Sequence, residues 1–150
     1  MRTSQPRSAS HVWGGNTGVP HIVLDTNVLV SGLLSPFGAP ARILDLVING
    51  NVIIILDVRI YSEYADVIGR DKFSFPEDAI HEMISFIKKE GLFISPVPLN
   101  MTIPDPGDLP FIEVSRHANV PVVTGNLRHF RESGVVVMTP AQFLSEMNNL

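Results

Sequence analysis

Two continuous apolar runs, "HIVLD" at 21–25 and "NVIIIL" at 51–56, constrain the fold more than any other feature of this sequence. Neither run alternates apolar with polar residues, so both read as strands covered on two faces, the signature of parallel sheets. Shorter candidates follow in "FISPV" (93–97), "PVVTG" (121–125) and "VVVM" (135–138). A helix begins near Thr26, and helical periodicity recurs over 38–49, 58–69, 76–90, 107–118 and 140–147. Strands alternating with helices predict an α/β chain with a parallel sheet covered on both faces.

The punctuation agrees with these bounds. Gly50 and Gly91 stand where helices end, Ser74 to Glu77 reads as a capping box, and Thr139-Pro140 reads as an N-cap followed by the first helical residue. Residues 1–20 are rich in Ser, Gly, Asn and Pro and read as a loose tail, leaving 21–150 as one domain. A composition of 45% hydrophobic and 17% charged residues argues against disorder over most of the chain. The run "VIIIL" falls far short of the roughly 20 residues of a membrane span. The first twenty residues lack the apolar centre of a secretory signal, so a soluble cytoplasmic protein without membrane attachment is expected. Zero cysteines exclude disulfides, thiolate catalysis and thiolate metal sites.

In open parallel sheets ligands bind beyond the carboxyl ends of the strands, and carboxylates gather at that edge. Asp25 ends the first strand, where it either caps the following helix or meets something positive. Glu63, in "YSEY", lies at the margin of the apolar stripe Ile60, Tyr61, Tyr64, Val67 and Ile68, near the start of its helix. It could also be a surface acid paired with Arg59 or Arg70, while Asp57 reads as a helix cap. In "DPGDLPFIEVS", Asp105 and Asp108 flank a helix N-terminus, which explains one of them by capping but not easily both. Phe111, Val114, Ser115 and Ala118 face inward there, with Asp108 at the margin and Glu113 turned away. Asn126 follows "VVTG" at the end of another strand, where ordinary turn chemistry also suits it. His129 and Phe130 read as loop and core.

Several ionised carboxylates share a pocket only around a cation. Oxygen donors without cysteine favour Mg²⁺ or Mn²⁺ over zinc, and such ions serve phosphoryl and phosphodiester chemistry. A net charge of −4 lacks the basic footprint of a nonspecific nucleic-acid binder, yet bound cations reverse the sign locally.

The order "LDTNVL", "YSEY", "DPGDLPFIEVS", "VVTGN" resembles the PIN domain, and more narrowly its VapC-like branch of toxins from toxin–antitoxin systems. The resemblance spans residues 21–147 and implies a three-layer α/β/α sandwich around a central parallel sheet, often dimeric. It implies a Mg²⁺- or Mn²⁺-dependent endoribonuclease for single-stranded RNA, with a cognate antitoxin as protein partner and a homodimer as the assembly. By motif, Asp25, Glu63 and Asp108 match the metal-binding acids, and Asp105 matches the extra acid of a "DxxD" variant. Asn27, Thr124, Asn126 and Arg128 fall at the rim of the implied site. Many members carry a fourth Asp where this chain has Asn126, which offers a carbonyl oxygen but no charge to a second metal ion. Arg128 and Arg116 follow the site edge in sequence and could grip phosphates.

A phosphatase of the haloacid dehalogenase type would need a second Asp where Asn27 stands, and "DTNVLVSG" lacks the Gly-rich turn of a Rossmann nucleotide binder. The alternative that stays open is a PIN-fold RNA-binding or protein-interaction module with weak or lost catalysis.

Overall fold

The computed structural model describes residues 18–149, so most of the expected tail lies outside the described residues. Among these residues five strands form one sheet: β1 (His21–Leu24), β2 (Ile53–Leu56), β3 (Leu92–Phe93), β4 (Val122–Val123) and β5 (Val137–Met138). All neighbours are parallel, in the order β3-β2-β1-β4-β5. Ile22 pairs with Ile54 across β1 and β2, and Leu24 with Val123 across β1 and β4. Ile22, Val23 and Leu24 are wholly buried, as a central strand with two covered faces requires. Each such side chain contributes about 1.5–3 kcal/mol relative to leaving it in water.

Six α-helices surround the sheet among the described residues: α1 (Thr26–Leu34), α2 (Ala39–Ile48), α3 (Val58–Ile68), α4 (Glu77–Glu90), α5 (Leu109–Ala118) and α6 (Pro140–Asn148). Helix α1 packs on α2 and α3, α2 on α6, and α3 on α4, while α5 lies across β1, β2 and β4. The α/β/α sandwich expected from the sequence is the architecture found.

Local chemistry explains the boundaries. Thr139 and Gln142 form a reciprocal capping box that opens α6. Helix α2 closes in a Schellman turn: Gly50 has φ +82°, its N–H donates to Val47 O, and Asn51 N–H donates to Leu46 O. Gly91 ends α4 for a different reason. Its backbone is ordinary, but a Cβ there would stand 2.6 Å from Ile87 O and 2.9 Å from Leu56 Cδ2, so the helix end could not approach β2 so closely.

Three expectations need correction. Ser74 and Glu77 do not form a capping box: α4 begins at Glu77, its N-cap is Pro76, and the Ser74 hydroxyl donates back to Asp71 O. The third strand is confined to Leu92–Phe93, with one further bond from Ile94 N–H to Leu56 O. Pro96 and Pro98 then remove the donors a longer ladder needs. A short 3₁₀ turn, Pro106–Asp108, precedes α5, which starts at Leu109 rather than 107.

Candidate metal centre

The strand order reverses between β1 and β4, the switch point at which open α/β sheets leave a crevice at their carboxyl edge. Asp25 follows β1 there and is only 8% exposed. It occupies the N-cap position of α1, but its side chain makes no capping hydrogen bond. Instead Asp25 Oδ2 accepts from Thr124 Oγ1 at 2.6 Å, and Thr124 follows β4. Burial raises the Asp25 carboxyl above its ordinary value; the Thr124 hydroxyl and the Thr26 amide oppose that, the charge of Glu63 adds to it, and His129 reduces it.

Glu63 reaches the same edge from α3, where the Thr26 hydroxyl donates to Glu63 Oε2. Neither arginine considered as its partner is engaged with it. Arg59 pairs with Asp57 and Glu113, and Arg70 pairs with Asp66. One residue on, the Tyr64 hydroxyl donates to Leu24 O and ties α3 to the end of β1. Burial, and then the charges of Asp25 and Glu63, push the Tyr64 phenol well up, which keeps it a neutral donor.

Asp105 and Asp108 come from the turn that leads into α5. Asp105 Oδ1 caps that turn by accepting from Gly107 N–H at 2.9 Å. Asp108 makes no side-chain capping bond, and its Oδ2 is buried without a hydrogen-bond partner among the described residues. His129 Nδ1 lies 3.6 Å from it. One donor atom each from Asp105, Asp108 and His129 lie within 4.8 Å of one another. The Asp108 carboxyl is pushed up to about 6, first by burial and then by the charges of Asp105 and Asp25; His129 works against this and Glu63 adds to it. Asp108 therefore senses the charges of three acids, one each from the end of β1, α3 and its own turn, and its orphaned Oδ2 is an acceptor that a cation would satisfy.

The rim residues are arranged more loosely. Asn27 is exposed, and its Oδ1 accepts from Gly125 N–H at 3.3 Å. Asn126 N–H donates to the Thr124 hydroxyl, and the Asn126 side chain makes no capping bond to the 3₁₀ turn that it precedes, Leu127–Phe130. Arg128 is exposed on that turn and forms no ion pair among the described residues.

Two residues lie elsewhere than expected. Arg116 sits in the last turn of α5, roughly a dozen ångströms along the helix from Asp108 at 1.5 Å per residue. It lines a cavity of about 240 Å³ with Val120, Pro121 and Val136, at the opposite edge of the sheet. Glu113 is not turned away from the protein but 4% exposed, covered by the chain that runs from β3 toward Asp105. Its carboxylate holds Arg59 at 2.8 Å and Leu99 N–H at 2.8 Å. Asp57 is a cap, as expected, accepting from Arg59 N–H and Ile60 N–H at 3.0 Å each.

His129 and Thr26 were not anticipated at the site. In a 3₁₀ turn side chains three apart eclipse, so the spacing Asn126 to His129 was the available signal.

No curated protein matches the chain. Among solved structures, the crystal structure of FitAcB from Neisseria gonorrhoeae is similar, with a TM-score of 0.55 and 19% identity over 80% of this chain and 98% of that one. At that identity the likeness concerns the fold. The family described as PIN domain matches residues 21–128, a stretch that contains Asp25, Glu63, Asp105, Asp108, Asn126 and Arg128 and stops just before His129. With most of its length matched, the chain belongs to the PIN domain family.

Proposed function

We propose that this protein is a Mg²⁺- or Mn²⁺-dependent endoribonuclease that hydrolyses phosphodiester bonds of single-stranded RNA, acting in the cytoplasm as a homodimeric toxin neutralised by a cognate antitoxin. The observation that carries the metal reading is the buried, unpartnered Oδ2 of Asp108 among Asp25, Glu63 and Asp105. The toxin role rests on the resemblance of "LDTNVL", "YSEY" and "DPGDLPFIEVS" to the VapC-like branch.

Asp25, Glu63 and Asp108 would hold the ion, with Asp105 beside them. A divalent cation bound there neutralises charge on the phosphate and activates water for attack. The chain's own part is to fix the donors. Thr124 orients Asp25, Thr26 orients Glu63, and Asp105 shares its carboxylate between the turn and the site. Arg128 and the neutral amides of Asn27 and Asn126 stand at the rim, where the guanidinium suits an RNA phosphate.

Cleavage of a single-stranded RNA by the purified protein, with Mg²⁺, with Mn²⁺ and in excess EDTA, tests the reading. Asp25→Asn is expected to abolish cleavage while the protein stays folded, since a like-charged neighbour is removed from the metal-free site. Full activity in EDTA, or undiminished cleavage by the variant, rejects it. Asn126 favours a second reading, a binding module with weak or lost catalysis; RNA retention without metal-dependent cleavage would select that one.

A further inference from the structure

We propose that His129 is a metal ligand in this protein, completing a site with Asp105 and Asp108 that selects Mn²⁺ over Mg²⁺. The inference rests on the metal site proposed above and adds a nitrogen donor to it.

The geometry is close to what coordination needs. Two ligands on one ion with bonds of about 2.1 Å stand at most about 4.2 Å apart. One donor atom each from Asp105, Asp108 and His129 already lie within 4.8 Å of one another. Three donors on one octahedral ion include neighbouring pairs about 3.0 Å apart, so shifts of up to about an ångström per side chain bring the three onto one ion. The orphaned Asp108 Oδ2 lies 3.6 Å from His129 Nδ1, and at that distance the two make no hydrogen bond that metal binding would have to break.

His129 is also held in place from both sides. Phe130, the next residue, is 1% exposed and anchors the 3₁₀ turn in the core. The Ser133 hydroxyl donates to Phe130 O at 2.6 Å and closes the turn behind it. At its start, Asn126 N–H donates to the Thr124 hydroxyl, the group that orients Asp25. One threonine therefore ties Asp25 and the turn carrying His129 to the end of β4. The imidazole itself remains about half exposed, which leaves room for water to complete the coordination shell.

The chemistry of the donors sets the selectivity. Carboxylates and water suit Mg²⁺, whereas imidazole favours first-row transition ions. The Asn126 amide adds no charge, so the imidazole takes a place among the donors without restoring the charge a carboxylate would bring. An ordinary surface contact between a histidine and an aspartate would share the 3.6 Å distance but not the metal preference.

Calorimetric titration of Mn²⁺ and Mg²⁺ into the wild-type protein and His129→Ala, with pulsed electron paramagnetic resonance of bound Mn²⁺, tests this. Wild type is expected to show nitrogen coupling to Mn²⁺. His129→Ala should lose that coupling and bind Mn²⁺ about tenfold or more weakly, the smallest loss seen when even supporting residues of a metal site are removed. Its Mg²⁺ affinity should change little. Mn²⁺ binding to wild type without nitrogen coupling, and with equal affinity in the variant, overturns the role of His129 while leaving the carboxylate site intact. Absence of any divalent binding to wild type overturns the metal site itself. Unfolding by urea checks that His129→Ala remains folded, as substitution of a half-exposed residue should allow.

Discussion

The Thr124 hydroxyl donates to Asp25 Oδ2 across 2.6 Å, although the two residues stand 99 apart in the chain. That bond joins the ends of β1 and β4 at the point where the strand order reverses. Thr124→Val keeps the shape of the side chain but leaves both Asp25 Oδ2 and Asn126 N–H without their partner. A loss of about 1–3 kcal/mol in stability is expected, with a drop in Mn²⁺ affinity of roughly tenfold. Thr124→Ser restores the donor and should recover most of both. Urea unfolding and calorimetry on the three proteins decide; a valine variant equal to wild type in both measurements removes Thr124 from the site.

Asp108 gives the metal-free protein an unusual pH dependence. Its carboxyl titrates at about 6 in the folded chain, against an ordinary value of 3.8. Between those values the folded state binds more protons than the unfolded state, so this group's contribution to stability falls as pH rises through the window. The raised Asp25 carboxyl acts in the same direction. Asp108→Asn should therefore be more stable than wild type near neutral pH and lose that advantage toward pH ~4, below which both forms are neutral. Saturating Mn²⁺ should reverse the order at neutral pH. Urea midpoints across the window are the measurement, and a variant that is less stable than metal-free wild type at neutral pH contradicts the sign.

Glu113 is a structural acid rather than part of the metal centre. Glu113→Ala strands Leu99 N–H and removes one of the two partners of Arg59, whose side chain is 45% exposed and can still reach water. The expected cost is about 1–3 kcal/mol, below that of a fully buried pair. Glu113→Gln keeps an acceptor for Leu99 and should cost less. Equal unfolding midpoints for the two variants would show that the Leu99 bond contributes nothing.

Asn126 tests how far the charge of the site extends. Asn126→Asp adds a carboxylate facing the ion and should tighten Mn²⁺ binding, with cleavage unchanged or raised. Asn126→Ala should lower cleavage only modestly. If all three proteins bind Mn²⁺ with one affinity, Asn126 lies outside the metal site.

Much of this was legible in the chain because period and punctuation are local properties. "IVL" and "IIIL" announce buried parallel strands, and Gly50 and Thr139 mark helix ends by their own conformational preferences. The positions of Asp25, Glu63 and Asp108 near strand and helix ends could likewise be read from spacing. Glu113 could not, because its burial depends on residues 94–104 folding over α5, a tertiary event that a helical wheel does not contain. His129 escaped for the same reason: its neighbour Asp108 is 21 residues away in the chain and on a different element. Ser74 misled because its spacing to Glu77 fits a capping box, while Pro76, with φ fixed by its ring, takes the N-cap position.

The order of the strands also governs when the site comes into being. β1 is the first strand of the domain, yet it pairs on one side with β4, nearly a hundred residues later. Contacts between such distant segments form slowly, since the entropy of closing the intervening chain must be overcome before the contact stabilises anything. A chain emerging from the ribosome exposes Asp25 long before Thr124, Arg128 and His129 have been made. The acidic cluster is thus assembled only by a nearly complete domain, and a nascent or truncated chain that lacks β4 lacks the Thr124 hydroxyl that holds Asp25.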